Sequence, residues 1–243
     1  MKSKLLLSSL VVATLTACNG MNVAGMLEAG TTLAQAASIS DAEVKALGVQ
    51  SAKQLDGENR VASANNKYTK RLNKITRNLK TYEGTRLNYK VYLNNEVNAF
   101  ALPNGDIRVY SGLLDMMTDD EVLFVIGHEI GHVMEGHSKS QARTNLLTLA
   151  ARQAAASSGQ GVVAALSAGQ IGELAHKLID AQYSQSQEYS AASFGLKVLQ
   201  ANNRPKEAAV SALNKLAGLG GGHGIFSSHP EPGNRAKRIA NSK

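Results

Sequence analysis

The run His128-Glu129-Ile130-Gly131-His132 has the residue types and the spacing of a hydrolytic metal site. An α-helix turns about 100° per residue, so two histidines four apart project from one face. Together they can give two imidazole nitrogens to one zinc ion. Glu129 sits beside that face, where it can take a proton from a metal-activated water and pass it to a leaving amine. Zinc brings the pKa of such a water to about 7, which makes the nucleophile available at neutral pH. This is the chemistry of the His-Glu-x-x-His pattern and of a zinc-dependent peptidase.

Five residues can match by chance, so their surroundings decide. Val122, Leu123, Val125, Ile126, Ile130 and Val133 flank the motif. Two histidines and a glutamate are costly to bury in so apolar a segment unless they have a partner. Gly127 and Gly131 each cost a helix about 1 kcal/mol relative to Ala. They make sense where another segment or a substrate must come close. Thr118 and Glu121 have the capping-box spacing that starts a helix.

A catalytic zinc needs a third protein ligand and one open position. A metzincin would carry Gly three and His six residues after the second histidine. Here Gly136 and His137 come four and five after His132, so that class is rejected. His137 then reads as a helix-end or supporting residue. The other class takes a Glu from a later helix. Downstream acids are Glu135, Glu173, Asp180, Glu188, Glu207 and Glu231. Glu188 lies in the apolar-periodic stretch SQSQEYSAASFGLKVL, which can pack on the motif helix, but spacing alone does not select it over Glu173. His176 reads as a surface or supporting residue, and His223, among glycines, as part of a loop.

The elements that must position these groups can be read outward from the motif. Leu87–Leu93, Val97–Leu102 and Ile107–Tyr110 read as strands, the last two joined by the turn signal Pro103-Asn104-Gly105-Asp106 as a hairpin. From Thr118 onward the pattern is helical. Residues 144–180 are Ala-rich, and Arg152, Gln153, Ser157, Ser158 and Gln160 break the apolar run, which reads as a helical hairpin rather than a transmembrane span. Further helices are expected over Glu188–Leu199 and from Pro205 to Leu216. Gly218–Gly224 is a glycine-rich loop. Val61, Tyr68, Leu72, Ile75, Leu79 and Tyr82 recur at helical spacings and predict one long amphipathic helix over 58–83. Its other face carries Arg60, Lys67, Lys70, Arg71, Lys74, Arg77 and Lys80, read as a solvated face with anionic lipid as the alternative partner.

The N-terminus reads as a targeting segment. Lys2 and Lys4 precede the short apolar stretch Leu5–Leu15, and Leu15-Thr16-Ala17-Cys18 resembles a bacterial lipobox around the chain's single cysteine. Residues 1–17 are then a signal, and 18–57 a lipidated tether with a short helix near Asp41–Leu47. Asn19 after the lipidated cysteine, by resemblance to Gram-negative lipoproteins, points to the outer membrane. Cleavage before Cys18 removes two lysines and lowers the formal charge from +7 to +5. No internal disulfide is possible in that oxidising compartment. Nucleic acid is excluded as a partner on location. Apolar residues make up 43% of the chain with 5% aromatics, so an aliphatic core is expected.

Four runs in this order resemble the prenyl-protease-like, HtpX-type zinc peptidases over residues 58–243. They are NAFALPNGDIRVYSGLLD (98–115), HEIGHVMEGH (128–137), QEYSAASFG (187–195) and SSHPEPGNRAKRI (227–239). The resemblance implies a gluzincin fold: α+β, mainly helical, with a small antiparallel sheet beside the motif helix. It implies one zinc ion per chain on His128, His132 and Glu188, with Glu129 as the base. It implies that the strand near Asn98–Leu102 pairs with a substrate backbone. His229 matches the family's late histidine, which stabilises the oxyanion or occupies the open metal position. One position departs: the family carries Asp four residues after the ligand Glu, and this chain has Ala192. The expected function is an endopeptidase for unfolded or misassembled envelope proteins at the periplasmic face of the outer membrane. The alternative is a catalytically weak adaptor in outer-membrane assembly. Nothing in the sequence indicates an oligomeric state.

Overall fold

A computed structural model describes residues 39–152, 163, 166–180, 182–219 and 224–242. The signal, Cys18, Asn19 and His223 lie outside these residues, as does most of the segment joining the two helices of the 144–180 hairpin. No helix among the described residues is long and apolar enough to cross a membrane.

The order of elements is α1 (Asp41–Glu58), α2 (Lys67–Ile75), β1 (Thr81–Tyr82), β2 (Thr85–Arg86), β3 (Asn88–Tyr92), β4 (Ala99–Ala101), β5 (Asp106–Tyr110), α3 (Ser111–Met116) and α4 (Asp119–Met134). There follow α5 (His137–Arg152), α6 (Ala168–Ile179), α7 (Gln185–Ala201), α8 (Glu207–Ala217), α9 (Ile225–Ser228) and α10 (Pro232–Ala240). The fold is mainly helical with a small sheet, as expected.

The motif helix is α4. Thr118 and Glu121 close the expected capping box, and every residue from Glu121 to His132 is buried. A helix apolar on all sides belongs at the centre of a core. One cluster packs α4 between the sheet, α7 and α8 through Ile126, Ile130, Val109, Leu113, Phe194, Val198 and Leu213. A second cluster gathers α1, α5 and α6 on the other face of the sheet through Leu47, Leu55, Leu102, Leu146 and Leu174.

Three expectations are corrected. The helix from Asp41 does not stop near Leu47; it runs to Glu58, started by the Ser40–Glu43 capping box, and its Asp56 pairs with the buried Arg108 of β5 at 2.8 Å. Residues 41–57 therefore pack as part of the folded body. The long helix over 58–83 is three pieces. Val61 bridges Tyr92, Asn66 caps the nine-residue α2, and Thr76 ends it by bonding back to Leu72. A tight hairpin follows, with Glu83 and Gly84 at positive φ. Each apolar position was read correctly as inward, but Asn66, Thr76 and Gly84 favour caps and turns over helix continuation. The sheet, finally, is mixed. β5 is central, with β4 antiparallel and β3 parallel to it, because the chain reverses twice between β3 and β5, once into β4 and once out of it.

Candidate active site

The site forms where α4, α7 and the segment before α10 meet. Gly127 and Gly131 explain how α4 and α7 come so close. A Cβ on Gly127 would lie 2.9 Å from the Val198 side chain and 3.0 Å from the Gly195 backbone. One on Gly131 would lie 2.9 Å from Phe194. The two glycines admit a second helix rather than a substrate, and that helix brings Glu188 to the histidines.

His128, His132, Glu188 and His229 are all buried, and one ligating atom from each lies within 4.8 Å of the others. His128 Nε2 and His132 Nε2 are 3.1 Å apart. Glu188 Oε1 is 3.3 Å from His132 Nε2 and 2.8 Å from His229 Nδ1. His229 Nδ1 is 3.2 Å from His128 Nε2. Four donors held tetrahedrally at about 2.0–2.1 Å from an ion are about 3.3–3.4 Å apart. The separations, at 2.8–3.3 Å for neighbouring pairs, bring the four groups close enough to share one metal ion. Burial keeps His128 and His132 neutral: it drives the first well below 6.5 and the second to about 3. Neutral imidazole is the form that binds metal. Burial would raise the Glu188 carboxyl, but the charge of His229 and hydrogen bonds from His132 and His229 hold it well below the usual range.

Glu129 reaches the same space from α4. Burial pushes its carboxyl up to about 7. The Ala101 backbone N–H faces it and draws its carboxyl back down, and one of its oxygens is 3.4 Å from His229 Nε2. Ala101 belongs to β4, an edge strand. Asn98 and Leu102 turn their backbone groups to β5, as the bonds Tyr110 N–H to Asn98 O and Leu102 N–H to Asp106 O show. By alternation Val97, Ala99 and Ala101 turn theirs toward the site.

Other sequence candidates fall elsewhere. Glu173 pairs with Lys177 on the surface of α6, and His176 pairs with Glu58 at 3.0 Å in an exposed position. Neither approaches the cluster. His137 Nδ1 is 3.2 Å from His132 Nδ1, so the supporting reading is the one the geometry favours. Ser193 does not replace the Asp missing at Ala192, since its hydroxyl bonds the Tyr189 carbonyl. Ala192 itself is buried, and among the described residues His128 Nδ1 has no hydrogen-bond partner.

Two residues escaped sequence reasoning. Arg235, buried in α10, ion-pairs Glu188 and donates to the His229 carbonyl at 3.0 Å. It stands six residues after His229 inside a run already singled out, but as one of three basic residues there nothing marked it as buried. Tyr183 stacks on His132 at 3.8 Å between ring centroids, and its backbone N–H reaches Ser228 O at 3.4 Å. It lies just before the Ser184–Gln187 capping box that starts α7, a place where a lone aromatic carries no periodic signal.

Two helix-borne histidines with an adjoining glutamate, joined by a glutamate from a second helix beside an edge strand, define a metallopeptidase. The chain belongs to Peptidase family M48, whose pattern matches residues 63–243. It is 44% identical to Metalloprotease LoiP of Escherichia coli over 98% of this chain and 96% of that protein. It is 40% identical to Metalloprotease YcaL of the same organism over the same shares. A more distant relative, the mitochondrial Metalloendopeptidase OMA1 of Bos taurus, is 27% identical over 59% of this chain and 30% of its own length.

Proposed function

We propose that this metalloprotease is a zinc endopeptidase that cuts unfolded or misassembled envelope proteins at the periplasmic face of the outer membrane, held there by a lipid on Cys18. The observation that carries the zinc assignment is the set of four buried ligating atoms within 4.8 Å of one another, with neighbouring pairs 2.8–3.3 Å apart. Two imidazoles and a carboxylate are a catalytic zinc's donors. His128, His132 and Glu188 would hold the ion, which when bound would polarise the scissile carbonyl and activate a water. Glu129 takes the proton from that water and returns it to the leaving amine. A carboxyl near 7 can do both at neutral pH. The outward backbone groups of Val97, Ala99 and Ala101 align the peptide by strand addition, which reads backbone and so favours extended, unfolded chains. His229, with Nδ1 at the fourth ligand position, closes the site at rest and must swing aside for substrate. Lipid anchoring rests on the lipobox-like run ending at Cys18, and the outer membrane on Asn19.

Degradation of casein by the purified mature protein tests the activity. The expected result is cleavage abolished by a zinc chelator and restored by zinc, and lost in Glu129→Gln with metal retained. Cleavage that survives both treatments sinks the reading. Labelling with radioactive palmitate in cells, lost in Cys18→Ala, tests the anchor.

His128 Nδ1 without a partner among the described residues, and Ala192 where the family carries Asp, favour a second reading in which catalysis is weak and the protein acts as an adaptor in outer-membrane assembly. Casein degradation absent from both the natural protein and Ala192→Asp would support it.

A further inference from the structure

The segment that carries His229 meets, at one backbone bond, the row that an added strand would use, and then turns into α9. Ile225 donates its backbone N–H to Val97 O at 3.2 Å. Val97 belongs to the same outward row as Ala99 and Ala101, the row available to an added strand. Gly224, at φ +64, lets the chain come this close: a Cβ there would lie 2.7 Å from Val97 O. Four residues after Ile225, His229 enters the ligand cluster. Tyr183 N–H to Ser228 O and Arg235 to the His229 carbonyl hold the far end.

The Ile225 side chain is buried with Leu213, Leu216, Phe124 and Val125 in an apolar pocket whose wall includes His128 and His229. Free space beside it is about 10 Å³, no more than one water. An apolar side chain thus sits against a candidate metal ligand while its backbone is bonded to Val97, two residues before the edge strand. A substrate residue next to the cleaved bond meets the same two demands.

We infer that the pocket formed by Phe124, Val125, Leu213 and Leu216 is the side-chain specificity pocket of this peptidase, and that Ile225 fills it as an internal stand-in for an aliphatic substrate residue. The inference rests on the peptidase reading and adds a preference to it. Backbone pairing alone gives no sequence preference; this pocket selects Ile, Leu or Val at one fixed position beside the scissile bond. One methylene in an apolar pocket is worth about 10–200-fold in discrimination. Ile225 competes with substrate for the pocket, so its removal frees it.

The test digests a proteome-derived peptide mixture with the metal-loaded mature protein and maps the cleavage sites by mass spectrometry. Aliphatic residues should be enriched about ten-fold or more at a single offset from the cut. Leu213→Phe, which shrinks the pocket, should move that preference to Ala or Gly. Cuts with no aliphatic enrichment, or a preference unchanged in folded Leu213→Phe, overturn the inference. A binding measurement separates this failure from failure of the peptidase reading. With Glu129→Gln protein, a blocked peptide carrying Ile should bind at least about ten-fold more tightly than its Asp counterpart, and several-fold more tightly again in Ile225→Ala. Selective binding without any cleavage by the natural protein keeps the pocket and removes the peptidase. If Ile225 only anchors the core, Ile225→Ala lowers the melting temperature and leaves peptide affinity where it was.

Discussion

The two motif histidines offer the same chemistry four residues apart, yet the two sides of the cradle are built differently. On the His132 side the ring is fully buried, Tyr183 stacks on one face, and Nδ1 meets His137 Nδ1 at 3.2 Å while Nε2 faces Glu188. On the His128 side, among the described residues, the Phe124 ring lies 6.5 Å away, Nδ1 has no hydrogen-bond partner, and Ala192 offers none. The partner on a ligand's second nitrogen fixes its tautomer and orientation and raises its basicity. His132 is thus set before the metal arrives, whereas His128 is oriented mainly by its helix and by what Nε2 binds.

Glu188→Gln should break the cradle on both sides at once. It removes the charge that faces His128, His132, His229 and Arg235 together. Bound metal, measured by elemental analysis, should fall from about one per chain toward none. Leaving Arg235 buried without its partner should cost about 3–5 kcal/mol, read as a lowered urea midpoint. Metal retained near one per chain would mean that His229 and the two motif histidines suffice.

The asymmetry itself is broken by two substitutions of opposite sign. His137→Ala strips the braced side and should weaken metal binding by about 10–100-fold. Ala192→Asp supplies the bare side with an acceptor for His128 Nδ1–H and should strengthen it by up to about the same factor. Competition titration with a chromophoric chelator measures both. Equal losses from the two variants would show that His128 needs no support and that the buried Ala192 site has no room for a carboxylate.

This asymmetry also marks how far the sequence could be read. Spacing on one helix sufficed to pair His128 with His132, and a capping box placed the start of that helix at Thr118. The Pro103–Asp106 turn located the hairpin that supplies the edge strand. Glu188 needed family resemblance, because contact between α4 and α7 depends on Gly127, Gly131, Ala191 and Gly195, and small residues leave no periodic mark. Tyr183, Arg235 and Ile225 were not legible as site residues. Each acts through a contact with an element distant in sequence, and each carries a side chain whose ordinary role is packing or solvation. The false long helix over 58–83 has the same cause: an inward-facing period survives when a chain is cut into a bridge, a short helix and a hairpin.

Packing, unlike polar support, should be equal on the two sides. Gly127→Ala and Gly131→Ala each place a methyl 2.9 Å from a Cβ of α7. Each should cost about 1–3 kcal/mol, visible as a lower thermal midpoint of the metal-free protein. Similar values would locate the difference between His128 and His132 in hydrogen bonding alone. A much smaller penalty at Gly127 would show α7 yielding more easily near His128, making that side loose in packing as well.

The finest distinction concerns the rings. Stacking on His132 at 3.8 Å is worth about 0.5–1.5 kcal/mol beyond burial. Tyr183→Leu should therefore weaken metal binding by about two- to twelve-fold. Phe124→Leu, on the His128 side, removes a ring 6.5 Å away and tilted by 39°, and should change metal affinity less even where it lowers stability more. Tyr183→Phe keeps the stack and loses only the 3.4 Å contact with Ser138, so it should bind metal almost as the natural protein does. If Phe proves as damaging as Leu, the hydroxyl and not the ring steadies His132, and Tyr183 belongs with His137 as a polar brace.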